Sequence, residues 1–415
     1  MHNWKNLLKL LASVTAVQII GFALLPLFSR LYTRADYGIL GMLMSVVGLL
    51  TPLAAMRYDQ AALVARSGQR LQLLRILGIS LCLGLTLVLS LLCLIAPPFL
   101  ATTSYAPAIP YLFIIPLTVC SSGLYAVLAA NANARARYGS ISIAALLQGY
   151  VNNCLKVVCG WYSLGVWGFA IAFNSGTAIA CAWLGIRQPE PWLRGVTYRR
   201  LRVVAHHYRS FPKYTTWMVT IAMLITNILA MMLPNFYRVE EIGVITMLYM
   251  ITRRPVQVYS DATSRVYARR LVEAKAEGRD FRGDMRRMVL RLSLGAVLGA
   301  LITPWVAEPL VTLVLGEQWT QLGQIIPWMI PFLLMESMNY IFNFIPDVLR
   351  RQRSYMLIQV LRLCCELGFI FLLAPRLDFD TFIRAYFFFA AGEYALINLW
   401  FYRLLRPSEL SLGQD

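Results

Sequence analysis

The chain has 415 residues, 59% of them hydrophobic and only 14% charged, and a mean hydropathy of +0.61. Soluble domains carry about 25% charged residues, so composition excludes a soluble enzyme, a disordered chain and a secreted disulfide scaffold. What remains is an all-α integral membrane protein, whose net charge of +18 raises nucleic-acid binding until the charges are placed along the chain.

A helix needs roughly 20 predominantly apolar residues to cross a bilayer, and about twelve windows meet that requirement. The first six are Leu10–Phe28, Tyr37–Met56, Ile76–Ile95, Ile109–Ala130, Ile141–Trp161 and Leu164–Ile186. The second six are Thr215–Leu233, Ile242–Ser260, Leu290–Val306, Ile325–Phe344, Tyr355–Leu373 and Phe382–Phe401. Lys5 and Lys9 precede the first window, but it lacks a small-residue cleavage site and runs on past Pro26 to Arg30, so it reads as a span rather than a signal peptide.

Basic residues near span ends are retained in the cytoplasm. With the N-terminus inside, the inner connections hold 28 Lys and Arg against 4 on the outer side (Arg30, Arg34, Arg238 and Arg376). Both termini are therefore expected in the cytoplasm, and the basic charge is topology, not nucleic-acid binding. One of the two long basic inner connections, residues 188–213, separates an N-terminal six-helix bundle (1–187) from a C-terminal one (214–415). Leu201–Tyr208 and Arg265–Glu277 are candidate interfacial helices whose cations meet anionic headgroups; a solvated basic linker reads equally well. Reporter fusions within residues 188–200 should mark the cytoplasm, and an outward signal there would overturn the charge count.

The eight Cys all lie in apolar segments without a CxxC or Cys/His cluster, so neither a disulfide framework nor a metal site is expected. There is no Walker A or GxGxxG motif, so no ATP-driven pumping and no cofactor are expected.

The second six spans open like the first. Asp36-Tyr37-Gly38-Ile39-Leu40 lies over Glu241-Ile242-Gly243-Val244-Ile245, each an acid, one residue, a glycine and an apolar helix. Such a duplication in one orientation is the parallel-repeat plan of many transporters.

The opening Leu10-Leu11-Ala12-Ser13-Val14-Thr15-Ala16, then Phe28-Ser29-Arg30-Leu31-Tyr32-Thr33-Arg34-Ala35-Asp36-Tyr37-Gly38 and Arg57-Tyr58-Asp59, resemble Wzx-type polysaccharide flippases. These belong to the multidrug/oligosaccharidyl-lipid/polysaccharide exporter superfamily. Tyr208-Arg209-Ser210-Phe211-Pro212 and Leu315-Gly316-Glu317-Gln318-Trp319 agree, whereas Asp59 stands where the family usually has Glu, and Arg253-Arg254-Pro255 is more cationic than usual. The resemblance implies two six-helix bundles around a central cavity that opens alternately to the two faces. It also implies an undecaprenyl-diphosphate-linked oligosaccharide as cargo, for O-antigen or related surface polysaccharide, with membrane lipids and other polysaccharide-assembly membrane proteins as partners.

Charged residues in hydrocarbon cost about 2.5–3.5 kcal/mol on insertion scales, so each should face protein or water. The spans hold or border six cations (Arg57, Lys156, Arg253, Arg254, Arg362 and Arg384) and six anions (Asp59, Asp261, Glu336, Asp347, Glu366 and Glu393). Buried ion pairs between helices would account for all of them. Tyr249, Arg253 and Gln257 recur every four residues, with Arg254 adjoining and only Asp261 as a same-helix acid, which suggests an excess positive site. Guanidinium forks match phosphate oxygens, so Arg253 and Arg254, with Arg362, are the diphosphate candidates, and the resemblance implies Arg57 as a further one at the cavity mouth. Gln148, Asn152 and Lys156 form a polar stripe which, with Tyr249, Gln257 and Arg30, suits sugars or a cavity lining. Glu336, Asn339, Asn343 and Asp347 fall on one face of a continuous tenth helix, and Arg362 with Glu366 reads as a structural pair. At i, i+2, Arg57 and Asp59 are not expected to share a face. Glu336, Glu366, Glu393 and Asp261 are candidate ion carriers, and Pro26, Pro255, Pro327 and Pro331 candidate hinges.

Two readings compete with a flippase. A drug or cation antiporter of the same superfamily would want an acidic cavity. A glycan polymerase or ligase would want a long outer loop, and the outer connections here are short.

Overall fold

The computed structural model describes residues 17–65, 67–188, 196–277, 280–349 and 351–405, and the elements it places there are helices. Nine helices among the described residues are long and apolar enough to span a membrane by length and composition. Of the other expected spans, the first begins in residues that lie outside the described ones, as do Lys5 and Lys9. The eighth is broken part-way, and the twelfth, Phe379–Leu404, carries Glu393 and Asn398.

Inter-residue contacts divide the chain into two compact units, residues 1–243 and 244–415. The principal helices of the first are α1 (Leu25–Leu31), α2 (Arg34–Ala54), α3 (Tyr58–Val64), α4 (Gly68–Ile95), α5 (Ile114–Ala134), α6 (Tyr138–Trp161), α7 (Gly165–Ile186), α8 (Tyr198–His207) and α9 (Thr216–Met232). Helix α10 (Val239–Leu248) crosses the boundary. The second unit continues with α11 (Arg254–Glu277), α12 (Arg282–Leu315), α13 (Thr320–Phe342), α14 (Ile345–Val348), α15 (Gln352–Leu373) and α16 (Phe379–Leu404). Because α9 packs against α2, the contact boundary falls later than the basic linker.

The repeated acid and glycine have separate jobs. Thr33 and Asp36 form a capping box at the start of α2: the Asp36 carboxylate accepts from the Thr33 N–H at 2.9 Å, and Thr33 Oγ1 accepts from the Asp36 N–H at 3.1 Å. In the second copy the Glu241 carboxylate accepts from the Arg238 N–H at 2.7 Å and closes the first turn of α10 in the same way. The glycines then bring the two helix starts together. A Cβ on Gly38 would lie 1.9 Å from the Val239 carbonyl oxygen, and one on Gly243 would lie 2.0 Å from that of Arg34. Both obstacles are backbone, which cannot rotate aside. Gly38→Ala and Gly243→Ala should each destabilise the purified protein by at least the roughly 3 kcal/mol upper range for overpacking, read as a lower unfolding temperature; wild-type melting of either would contradict the crossing.

Three expectations change. Arg265–Glu277 is not a separate interfacial helix but the continuation of α11, because no Gly or Pro interrupts the chain from Val256 to Glu277. Glu336 and Asp347 do not share one helical face, since α13 ends at Phe342 and Asp347 sits on α14, whose first turn is set by Pro346. Arg57 and Asp59 do approach each other, with Arg57 Nη1 3.9 Å from Asp59 Oδ2. Arg57 is the left-handed residue (φ +58°) before α3, so helical spacing does not govern its direction.

Within Leu201–Tyr208, Val204 and Tyr208 are buried against Tyr58 and Leu74, and the Tyr58 hydroxyl donates to the Ala205 carbonyl at 3.1 Å. The apolar face of α8 is thus used by the protein, while Arg199, Arg202 and His206 stay exposed. At the start of α16, hydrogen bonds from the Thr381 hydroxyl and N–H hold the Asp378 carboxyl below its ordinary value. Leu290, Leu294, Leu301 and Trp305 on α12 and Leu87, Leu91 and Leu94 on α4 are exposed, as side chains solvated by lipid would be.

Candidate functional site

The richest polar cluster is inside the C-terminal unit, and a proline shapes it. Pro255 has no N–H to give to the carbonyl four residues back, and the chain answers with a wide π turn over Tyr249–Arg253 before α11 resumes. Arg253 leaves this turn buried, and Arg254 leaves it exposed.

Arg253 meets α13. Its Nε donates to Glu336 Oε1 at 2.7 Å and its Nη2 contacts the same oxygen. Four residues along on both helices, Gln257 Nε2 donates to the Tyr340 hydroxyl at 3.0 Å. The Tyr249 ring lies under the guanidinium at 4.9 Å, with Phe332 at 5.8 Å, both within the range of cation–π attraction. The expected face of Tyr249, Arg253 and Gln257 therefore exists, but Arg253 is not a free cation. Counting acids on its own helix overlooked a carboxylate that tertiary packing supplies from another.

A second knot joins α15 to α16. Arg362 Nη2 donates to Glu366 Oε1 at 2.7 Å, its Nε to Glu393 Oε2 at 3.3 Å, and its guanidinium lies 4.0 Å from the Tyr394 ring centre. The Tyr394 hydroxyl reaches Glu336 Oε1 at 3.4 Å, linking the two knots. The expected pairing of Arg362 with Glu366 is thus present, with Glu393 as a second partner. Tyr340 and Tyr394 were missed in the sequence, although one lies four residues after Glu336 and the other directly follows Glu393.

Asp261 is exposed on α11. Arg254 has no carboxylate partner among the described residues. Arg384 lies over the Trp328 ring at 5.3 Å.

In the N-terminal unit, Lys156 Nζ lies 5.6 Å from the Phe28 ring and 5.7 Å from that of Phe169, with no carboxylate partner among the described residues. The Tyr32 hydroxyl donates to the Lys156 carbonyl at 2.8 Å and fixes this turn of α6. One member of the stripe is spent on helix packing, since Gln148 Nε2 donates to Thr177 Oγ1 at 3.0 Å. Asn152 keeps a buried Oδ1 without a partner, Arg30 is exposed at the end of α1, and Arg57 is partly exposed beside Asp59. No group of three or more His, Cys, Asp and Glu suited to a metal ion occurs among the described residues.

A helical membrane protein with buried ion pairs and uncompensated intramembrane cations is common to many transporters, and comparison narrows the choice. The sequence profile of polysaccharide biosynthesis proteins matches residues 27–324. The chain belongs to that family. No curated protein sequence matches it. Among solved structures it is similar to the lipid II flippase MurJ in an inward closed conformation, with TM-score 0.71, 11% identity, and coverage of 96% of this chain and 91% of that one. A MATE transporter in a bent conformation gives 0.59, 13% identity and coverage of 99% and 96%. A MOP-superfamily transporter from Pyrococcus furiosus, described as having reversed binding-pocket polarity, gives 0.56, 13% identity and coverage of 100% and 97%. The likeness spans nearly the whole of each, so this member of the polysaccharide biosynthesis family has the all-α MOP-superfamily transporter fold.

Proposed function

We propose that the protein is a flippase that carries an undecaprenyl-diphosphate-linked oligosaccharide from the cytoplasmic to the periplasmic leaflet of a bacterial inner membrane by alternating access, for O-antigen or related surface polysaccharide. The observation that carries this reading is that two cations of the expected spans, Arg254 and Lys156, meet no carboxylate among the described residues, in a chain of the polysaccharide biosynthesis family. An uncompensated cation in a span is costly, and a lipid-linked diphosphate is an anion that would offset that cost. Arg254 suits the phosphate oxygens; Lys156, Asn152, Gln148, Tyr249, Gln257 and Arg30 are the residues we assign to the glycan or the lining, and Arg57 to the entrance. Arg253 and Arg362 then act by holding helices through Glu336, Glu366 and Glu393. A drug or cation antiporter is less well supported, because Glu336 and Glu366 are already engaged by arginines.

Reconstitution into proteoliposomes tests the proposal. Fluorescently tagged undecaprenyl-diphosphate oligosaccharide, placed in one leaflet, should become accessible to a membrane-impermeant quencher from the other only when the protein is present. Export of a lipophilic cation with no movement of the glycan lipid would replace the flippase with the antiporter.

A further inference from the structure

The charges of the C-terminal cluster do not balance. Two guanidiniums, Arg253 and Arg362, face three carboxylates, Glu336, Glu366 and Glu393. Glu336 and Glu366 have 0% of their side chains exposed, and Glu393 has 11%. A buried carboxylate without a counter-charge takes up a proton in preference to staying ionised. The hydrogen bonding points the same way. Glu366 Oε2 and Glu393 Oε1 are buried without a partner, as is Glu336 Oε2. Arg362 nevertheless brings the two carboxyls side by side, since Glu366 Oε1 and Glu393 Oε2 both accept from its one guanidinium. Two ionised carboxylates are both acceptors, and only a proton between them makes that approach a bond.

We infer that Glu366 and Glu393 share one proton, which makes the cluster of five charges neutral, and that this pair is the site where the transporter exchanges a proton with water. Its use in transport rests on the transporter reading above; the proton itself follows from the geometry.

The groups facing the pair come from every neighbouring element. Arg253 and Tyr249 on the π turn, Arg362 on α15 and Tyr386 on α16 face it directly, while Glu336 and Tyr340 on α13 and Tyr394 on α16 meet Arg253 and Arg362 behind it. Arg362 already donates to one oxygen of each carboxylate, and its fixed charge repels a metal cation from the pair. Glu393, the more exposed partner, is the route out: its carboxyl passes the proton to water, giving hydronium and two carboxylates. Arg362 then stands between two anions, and the cluster carries one net negative charge. Release therefore makes the buried cluster costlier, which is the condition for a proton to change the preferred arrangement of helices.

Infrared difference spectroscopy on the purified protein, without substrate, tests the inference. With carbon-13-labelled glutamate near neutral pH, a protonated-carboxyl stretch should be present, shift down in deuterium oxide, and disappear in Glu393→Gln. Glu366→Gln should remove the same band, so the test does not depend on one variant folding. A wild type without the band, or a band unchanged in both variants, overturns the shared proton, as does a band abolished by added sodium ions. The flippase reading is judged separately by glycan-lipid movement in proteoliposomes. A normal band with no such movement would keep the proton and reject that reading.

Discussion

Arg254→Ala is expected to abolish glycan-lipid flipping while the protein still inserts, folds and melts as wild type. Arg254 is exposed and has no carboxylate partner among the described residues, so its removal strands no buried acid. Its loss should be felt by the anion it meets. A charge-assisted hydrogen bond is worth about 1.5–3 kcal/mol, and a bidentate fork engages two, so binding of the diphosphate should weaken by roughly 100-fold or more at 1.4 kcal/mol per decade. Arg254→Lys should recover only part of the activity, since an ammonium offers a point charge where the guanidinium offers a fork. Flipping in proteoliposomes, with protein level and melting temperature measured in parallel, checks the expectation. Wild-type flipping by Arg254→Ala would remove this residue from the substrate site. Lost flipping together with lost folding would show that it is structural.

Arg253→Ala should behave in the opposite way, destabilising the protein first. It leaves the fully buried Glu336 carboxylate without the guanidinium that donates at 2.7 Å and deprives Tyr249 of its cation. Breaking one side of a buried pair costs about 3–5 kcal/mol, whereas replacing both partners with apolar residues of similar volume is often neutral or stabilising. The double variant Arg253→Met/Glu336→Met should therefore melt close to wild type although each single change melts well below it. Additive losses in that double-mutant cycle would show that the pair is not coupled. Transport by the stable double variant then asks a separate question: if it is retained, Arg253 serves helix packing alone.

The contrast between these neighbouring arginines marks the limit of what the sequence could say. Membrane residence and the positions of nine of the spans were legible because hydropathy is a property of the chain read segment by segment. The repeat motif was legible for the same reason, and with the family resemblance it pointed to the transporter fold, later matched by the family profile across residues 27–324. The polar residues of the spans were all identifiable, because any charge in an apolar run stands out. Partnership was not. Arg253 and Arg254 are equivalent in composition and were read as one cationic site; the π turn before Pro255 buries the first against Glu336, 83 residues away, and exposes the second. Arg57 reaches Asp59 because its backbone is left-handed, a torsion that helical spacing does not anticipate. The meeting of Glu366 and Glu393 on Arg362 depends on how α15 lies along α16. Burial along one helix is set by local periodicity, but the neutralisation of a buried charge depends on which other helix presents its partner, and only the tertiary structure decided that.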